Sequence, residues 1–161
     1  MTLAAPGTAW PQAGTRQRAS GAADRTLAPP VRAACDVVYR LSAPVGGVSI
    51  KRSTGRFQDE TLPAPVDGCR LSMKGSFRRA RDGAVPDRLH TKLAENGWEE
   101  LYDYSADGPD GTSFAFRRDD VACVVRGEWD GGDDSDPSIP AGDWYRVIVI
   151  CARGIPATRF E

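Results

Sequence analysis

The sequence contains a single histidine, His90, and so has little of the side chain that most often shuttles protons near neutral pH. It has no G-x-S-x-G and no H-E-x-x-H. Neither a serine nucleophile elbow nor a zincin helix is therefore encoded. A lone helical His beside an apolar Leu89 reads as a structural side chain. No apolar run approaches the roughly 20 residues that a membrane helix needs, so no membrane span is expected. The first thirty residues hold no secretory h-region, because Leu3-Ala4-Ala5 stops at Pro6. Ala33-Ala34-Cys35 has the small residues of a lipoprotein cleavage site, but it lacks the preceding apolar run and follows Arg32. The four cysteines include no C-x-x-C, which excludes a thioredoxin-like redox motif and a zinc knuckle.

What is present is a 161-residue chain, 40% hydrophobic, with 17 Gly and 12 Pro. That length carries one domain with a real core plus some tail, and the Gly and Pro call for many loops. The net charge of −1 hides a split. Residues 1–95 carry 15 Lys/Arg against 8 Asp/Glu, and residues 103–143 carry 3 Arg against 11 Asp/Glu. Such polarity steers charged partners, or simply covers one soluble surface with both signs. The even cysteine count in a loop-rich chain points to two disulfides and an oxidising, extracytoplasmic compartment. That expectation requires an export signal outside this sequence. Reduced cytosolic thiols are the competing reading.

Residues 1–34 read as a disordered or extended segment, 35–152 as a single α+β domain and 153–161 as a tail. Residues 36–41 fit either a strand or a helical turn. Residues 43–68 read mostly as loop, with a short strand at 48–52. Cys69, Leu71 and Met73 alternate with Arg70, Ser72 and Lys74, the pattern of a half-buried strand. Pro86 suits a first helical turn, Leu89 and Leu93 share a face, and Gly97 is a fitting stop, so 85–96 is a helix. Trp98, Leu101 and Tyr104 suggest a strand. Phe114 and Phe116 mark a second, and Val121, Cys123 and Val125 a third. In 144–151, Trp144, Ile148 and Ile150 lie on one side, with Tyr145, Val147, Val149 and Cys151 on the other. Two apolar sides predict a covered, central strand.

The expected fold is α+β, with one helix packed on a curved antiparallel sheet in the order β-α-β-β-β-β. Over residues 69–151 this element order is similar to the cystatin-like fold. That family's inhibitory motifs are not found here, so no function is carried over. Counting outward from a hairpin tip near Asp136 sets Cys123 opposite residues 149 to 151. Cys123–Cys151 is then the natural bridge, and Cys35–Cys69 follows by elimination. Four cysteines allow three connectivities, and sequence alone does not choose among them.

Three features invite a functional reading. The acidic loop offers Asp130, Asp133, Asp134 and Asp136 among glycines, the oxygen ligands and pliant backbone that Ca²⁺ takes, though not at EF-hand spacing. A solvated hairpin tip uses the same residues. Trp129 and Trp144 flank that loop, and they either pair across the hairpin or form an exposed binding platform. The basic residues Arg70, Lys74, Arg78, Arg79, Arg81, Arg88 and Lys92 suit phosphates. However, a pI near 5.9 without a nucleic-acid motif leaves no nucleic-acid partner expected. The leading expectation is a non-catalytic extracytoplasmic module that binds another macromolecule, such as a protein, or plays a structural role, with no cofactor. The alternatives are a calcium-binding or calcium-stabilised domain, and a hydrolase using loop carboxylates.

Overall fold

Two helices and seven antiparallel strands form an α+β fold in the computed structural model, which describes residues 27–43, 48–76, 84–130 and 142–159. The elements run α1 (Pro29–Ser42), β1 (Val48–Phe57), β2 (Val66–Gly75), α2 (Ala84–Glu95), β3 (Glu99–Glu100), β4 (Ala106–Gly108), β5 (Gly111–Arg118), β6 (Val121–Trp129) and β7 (Tyr145–Arg153). The open sheet has the order β1-β2-β7-β6-β5-β3, with β4 also paired to β5. After the β1–β2 hairpin the chain crosses through α2 to the far edge. It then returns strand by strand until β7 closes against β2.

The helix α2 follows directly from its sequence. Val85, Leu89 and Leu93 recur on one face and are fully buried. Burial on that scale stabilises by about 1.5–3 kcal/mol per side chain. Gly97, at φ +73°, ends the helix in the left-handed region. The Trp98 N–H donates to the Leu93 carbonyl, and the Gly97 N–H donates to the Ala94 carbonyl. This is a Schellman stop, in which Gly97 avoids the strain a Cβ would suffer. At the other end, the Val85 N–H donates to the Tyr145 hydroxyl at 3.2 Å, fixing the start of α2 to the sheet. Gly127 of β6 lets the helix sit this close, since a Cβ there would lie 2.8 Å from Pro86 Cγ.

The second helix, α1, begins at Pro29, inside the stretch expected to be extended, and settles 36–41 as helical. Pro is tolerated in a first turn because its missing N–H has no partner to lose. Val31, Ala34, Cys35, Val38 and Ser42 form its buried stripe. The Ser42 hydroxyl donates back to the Val38 carbonyl, which satisfies a buried polar group. Both helices cover one face of the sheet, over Leu71, Met73, Phe114, Phe116, Val125, Val147 and Val149.

Part of the opposite face has its own smaller core. Leu62, Leu101, Tyr104 and Ile155 pack over Ala115, Val124, Ile148 and Ile150. The two-sided apolar pattern of 144–151 thus corresponds to a strand with a core on each side, flanked by β2 and β6. Two sequence expectations change. Residues 48–57, expected as a short strand within loop, form a ten-residue edge strand. The expected strand at Trp98–Tyr104 is a two-residue strand followed by a 3-10 turn at Tyr102–Tyr104.

Disulfides join Cys35 to Cys69 and Cys123 to Cys151. Cys123 stands directly opposite Cys151, and Cys151 opposite Cys69, so three cysteines lie in one row across β6, β7 and β2. All four are buried. Among the described residues no helix is long and apolar enough to cross a membrane.

Candidate binding site on the open sheet face

Among the described residues, none packs over the face away from the helices across β1, β2 and the start of β7. Alternation along each strand decides what stands there. Cys69, Leu71 and Met73 turn inward to the core, so Arg70, Ser72 and Lys74 turn outward. The pairing register then lines up three rows. Ser53 stands opposite Arg70, which stands opposite Ile150. Lys51 stands opposite Ser72, which stands opposite Ile148. Ser49 stands opposite Lys74, which stands opposite Arg146. Cations and serines alternate like a chequerboard, and between them lies a cleft of about 490 Å³ lined by Ser49, Lys51, Ser53, Arg70, Ser72, Lys74, Arg146 and Ile148.

Among the described residues no carboxylate lines this cleft. Elsewhere the described cations are mostly engaged. Arg52 binds Asp36 at 2.5 Å, and Arg153 binds Asp120 at 2.6 Å. Lys92 binds Glu95 at 2.6 Å, and Arg56 meets Asp67 at 3.6 Å. Arg126 is claimed by Asp59, Glu60 and Glu128. Among the described residues, Lys51, Arg70 and Lys74 have no ion pair and no side-chain hydrogen bond to protein, and the Nε of Arg70 is buried without a partner. Arg146, at the rim, is tied to Glu128 by two bonds of 2.6 and 3.0 Å. Diagonal neighbours on paired strands lie about 7–8 Å apart, and like charges placed so repel one another. The fold bears this repulsion at the cleft while neutralising its cations elsewhere.

The basic segment read from the sequence is divided by the fold. Arg70 and Lys74 enter the cleft. Arg88 donates to the Leu41 carbonyl, Lys92 pairs with Glu95, and Arg78, Arg79 and Arg81 lie outside the described residues. Lys51 and Arg146 were not foreseen as part of the cluster. The only signal for Lys51 was its alternation with Ser49 and Ser53.

Of the acidic loop, Asp130 is described, while Asp133, Asp134 and Asp136 lie outside the described residues. Among the described residues no group of three metal-ligating side chains occurs. Asp130 borders a shallow hollow with Asp110, Glu128, Trp129 and Trp144. Trp129 pairs across the hairpin with Tyr145 rather than with Trp144, the rings stacking at 6.4 Å and 19°. Its indole N–H donates to the Pro109 carbonyl at 2.7 Å. Trp144 is 46% exposed. Burial raises the Tyr145 hydroxyl well above its ordinary pKa, although its bond from the Val85 N–H acts the other way. Tyr104 is raised for the same first reason, and its hydroxyl donates to the Pro156 carbonyl. His90 contacts Phe114 and Phe116 edge-on, with both centroids at 5.1 Å, and meets Glu100 at 3.2 Å. The side chain is nonetheless 44% exposed.

No protein-family model, curated protein or solved structure matches this chain, so the reading of the site rests on its own residues.

Proposed function

We propose that this protein is a non-catalytic binding module that works outside the cytoplasm and takes an anionic ligand or partner on its open strand face. The observation that carries the reading is the trio Lys51, Arg70 and Lys74, three cations lining one cleft without an acidic partner among the described residues. Charges left unpaired on a protein otherwise rich in ion pairs are free to complement a ligand's field. The two buried disulfides support the compartment, since such bonds persist where the medium is oxidising.

The test is native mass spectrometry of the protein purified gently from its own cells, beside the Lys51→Glu/Lys74→Glu variant. A bound species present on the wild type and lost from the variant is the expected result. Identical spectra, with nothing dependent on those lysines, would contradict the proposal.

A further inference from the structure

We infer that the cleft over β1, β2 and β7 binds a compact, multiply charged phosphate-type oxyanion, such as a pyrophosphate or triphosphate group. The inference deepens the binding reading above and rests on it. The lining supplies donors and almost nothing that repels an anion. Two ammonium groups and a guanidinium approach from neighbouring strands, with serines of short reach between them. Lys51, opposite Ser72, lies diagonally between Arg70 and Lys74 on the same face. Flexible lysine stems close that spacing onto one ligand, and a planar guanidinium takes two oxygens of one phosphoryl group side by side.

The hydroxyls of Ser53 and Ser72 add neutral donors, whereas that of Ser49 is already given to the Lys74 carbonyl at 3.2 Å. Ile148 forms an apolar patch of the lining and offers no competing side-chain charge. Three cations match a ligand carrying about three or four negative charges. A single orthophosphate carries fewer negative charges and leaves part of this positive charge unmatched. A duplex nucleic acid fits poorly as well, because the cations sit within a short concavity rather than along a ridge.

The inference is tested by titrating the isotopically labelled protein, followed by NMR, with inorganic triphosphate, pyrophosphate, orthophosphate and sulfate at constant ionic strength. Expected are shifts centred on the amides of Lys51, Ser53, Arg70, Ser72 and Lys74. Triphosphate should bind at least tenfold more tightly than orthophosphate or sulfate. Lys51→Gln/Lys74→Gln should weaken triphosphate binding at least tenfold while leaving the rest of the spectrum in place. Lys92→Gln, on α2 and away from the cleft, should leave the affinity unchanged. Shifts spread over the basic surface, equal affinity for sulfate, or equal weakening by Lys92→Gln would overturn the inference. If triphosphate fails while a native species still depends on Lys51 and Lys74, the ligand class alone is wrong. If both fail, the binding reading falls with it.

Discussion

Replacing both Cys35 and Cys69 by alanine removes the covalent tie between α1 and β2 while leaving the second disulfide intact. Those cysteines are 34 residues apart in sequence. Freeing a loop of that length in the unfolded chain costs the native state about 4 kcal/mol by chain entropy. The packing around the bridge is the same stripe that includes Val31, Ala34 and Val38, so the small alanines leave α1 docked but weakened. For a domain of this size the loss lowers the melting temperature by about 12–16 °C. Urea unfolding at fixed pH is the assay. The midpoint should fall and the slope should rise, because the unfolded chain expands once the link is gone. A loss below about 1 kcal/mol with an unchanged slope would mean instead that the bridge does not constrain the unfolded state.

Other perturbations probe separate parts of the structure. Gly127→Ala forces a Cβ to within 2.8 Å of the Pro86 ring and should cost about 1–3 kcal/mol, read from the denaturation midpoint. Cys35→Ala alone leaves the Cys69 thiol in register beside Cys151, so non-reducing peptide mapping should recover Cys69–Cys151 alongside Cys123–Cys151. The folded pKa of Tyr145 lies above its ordinary value of 10.0. The stability it gives as a neutral hydroxyl is therefore complete below that pH, and it declines above it as the unfolded chain ionises first. Denaturation midpoints between pH 8 and 11 should show this decline, and Tyr145→Phe should flatten it while lowering stability at pH 8 through loss of the Val85 hydrogen bond.

Legibility in the sequence followed the locality of the physics. Helix α2 was readable because Pro86, Leu89, Leu93 and Gly97 give a start, a period and a stop within one short segment. The position of β7 was readable from apolar residues on both its sides, and the Cys123–Cys151 register from simple counting along a hairpin. Helix α1 was not readable, because its stripe contains small Ala34 and Cys35 interrupted by Arg32, which leaves the period faint. Strand β1 was legible only over 48–52, because it is an edge strand with no fully buried residue and its apolar alternation fades after Ile50. Leu101 and Tyr104 fall three apart, a spacing that suits the 3-10 turn they join as well as it suits a strand. The cleft was the least legible feature. Its residues come from positions 49 to 148, and only the β1-β2-β7 pairing brings them together.

The chain has three lysines, and the fold separates them usefully: Lys51 and Lys74 line the cleft, while Lys92 lies on α2. Amine-reactive labelling in intact cells, compared with the purified protein, reads whether the cleft is occupied. Lys51 and Lys74 should lose most of their reactivity in the native surroundings while Lys92 keeps its own. Equal reactivity of all three lysines in both settings would contradict it.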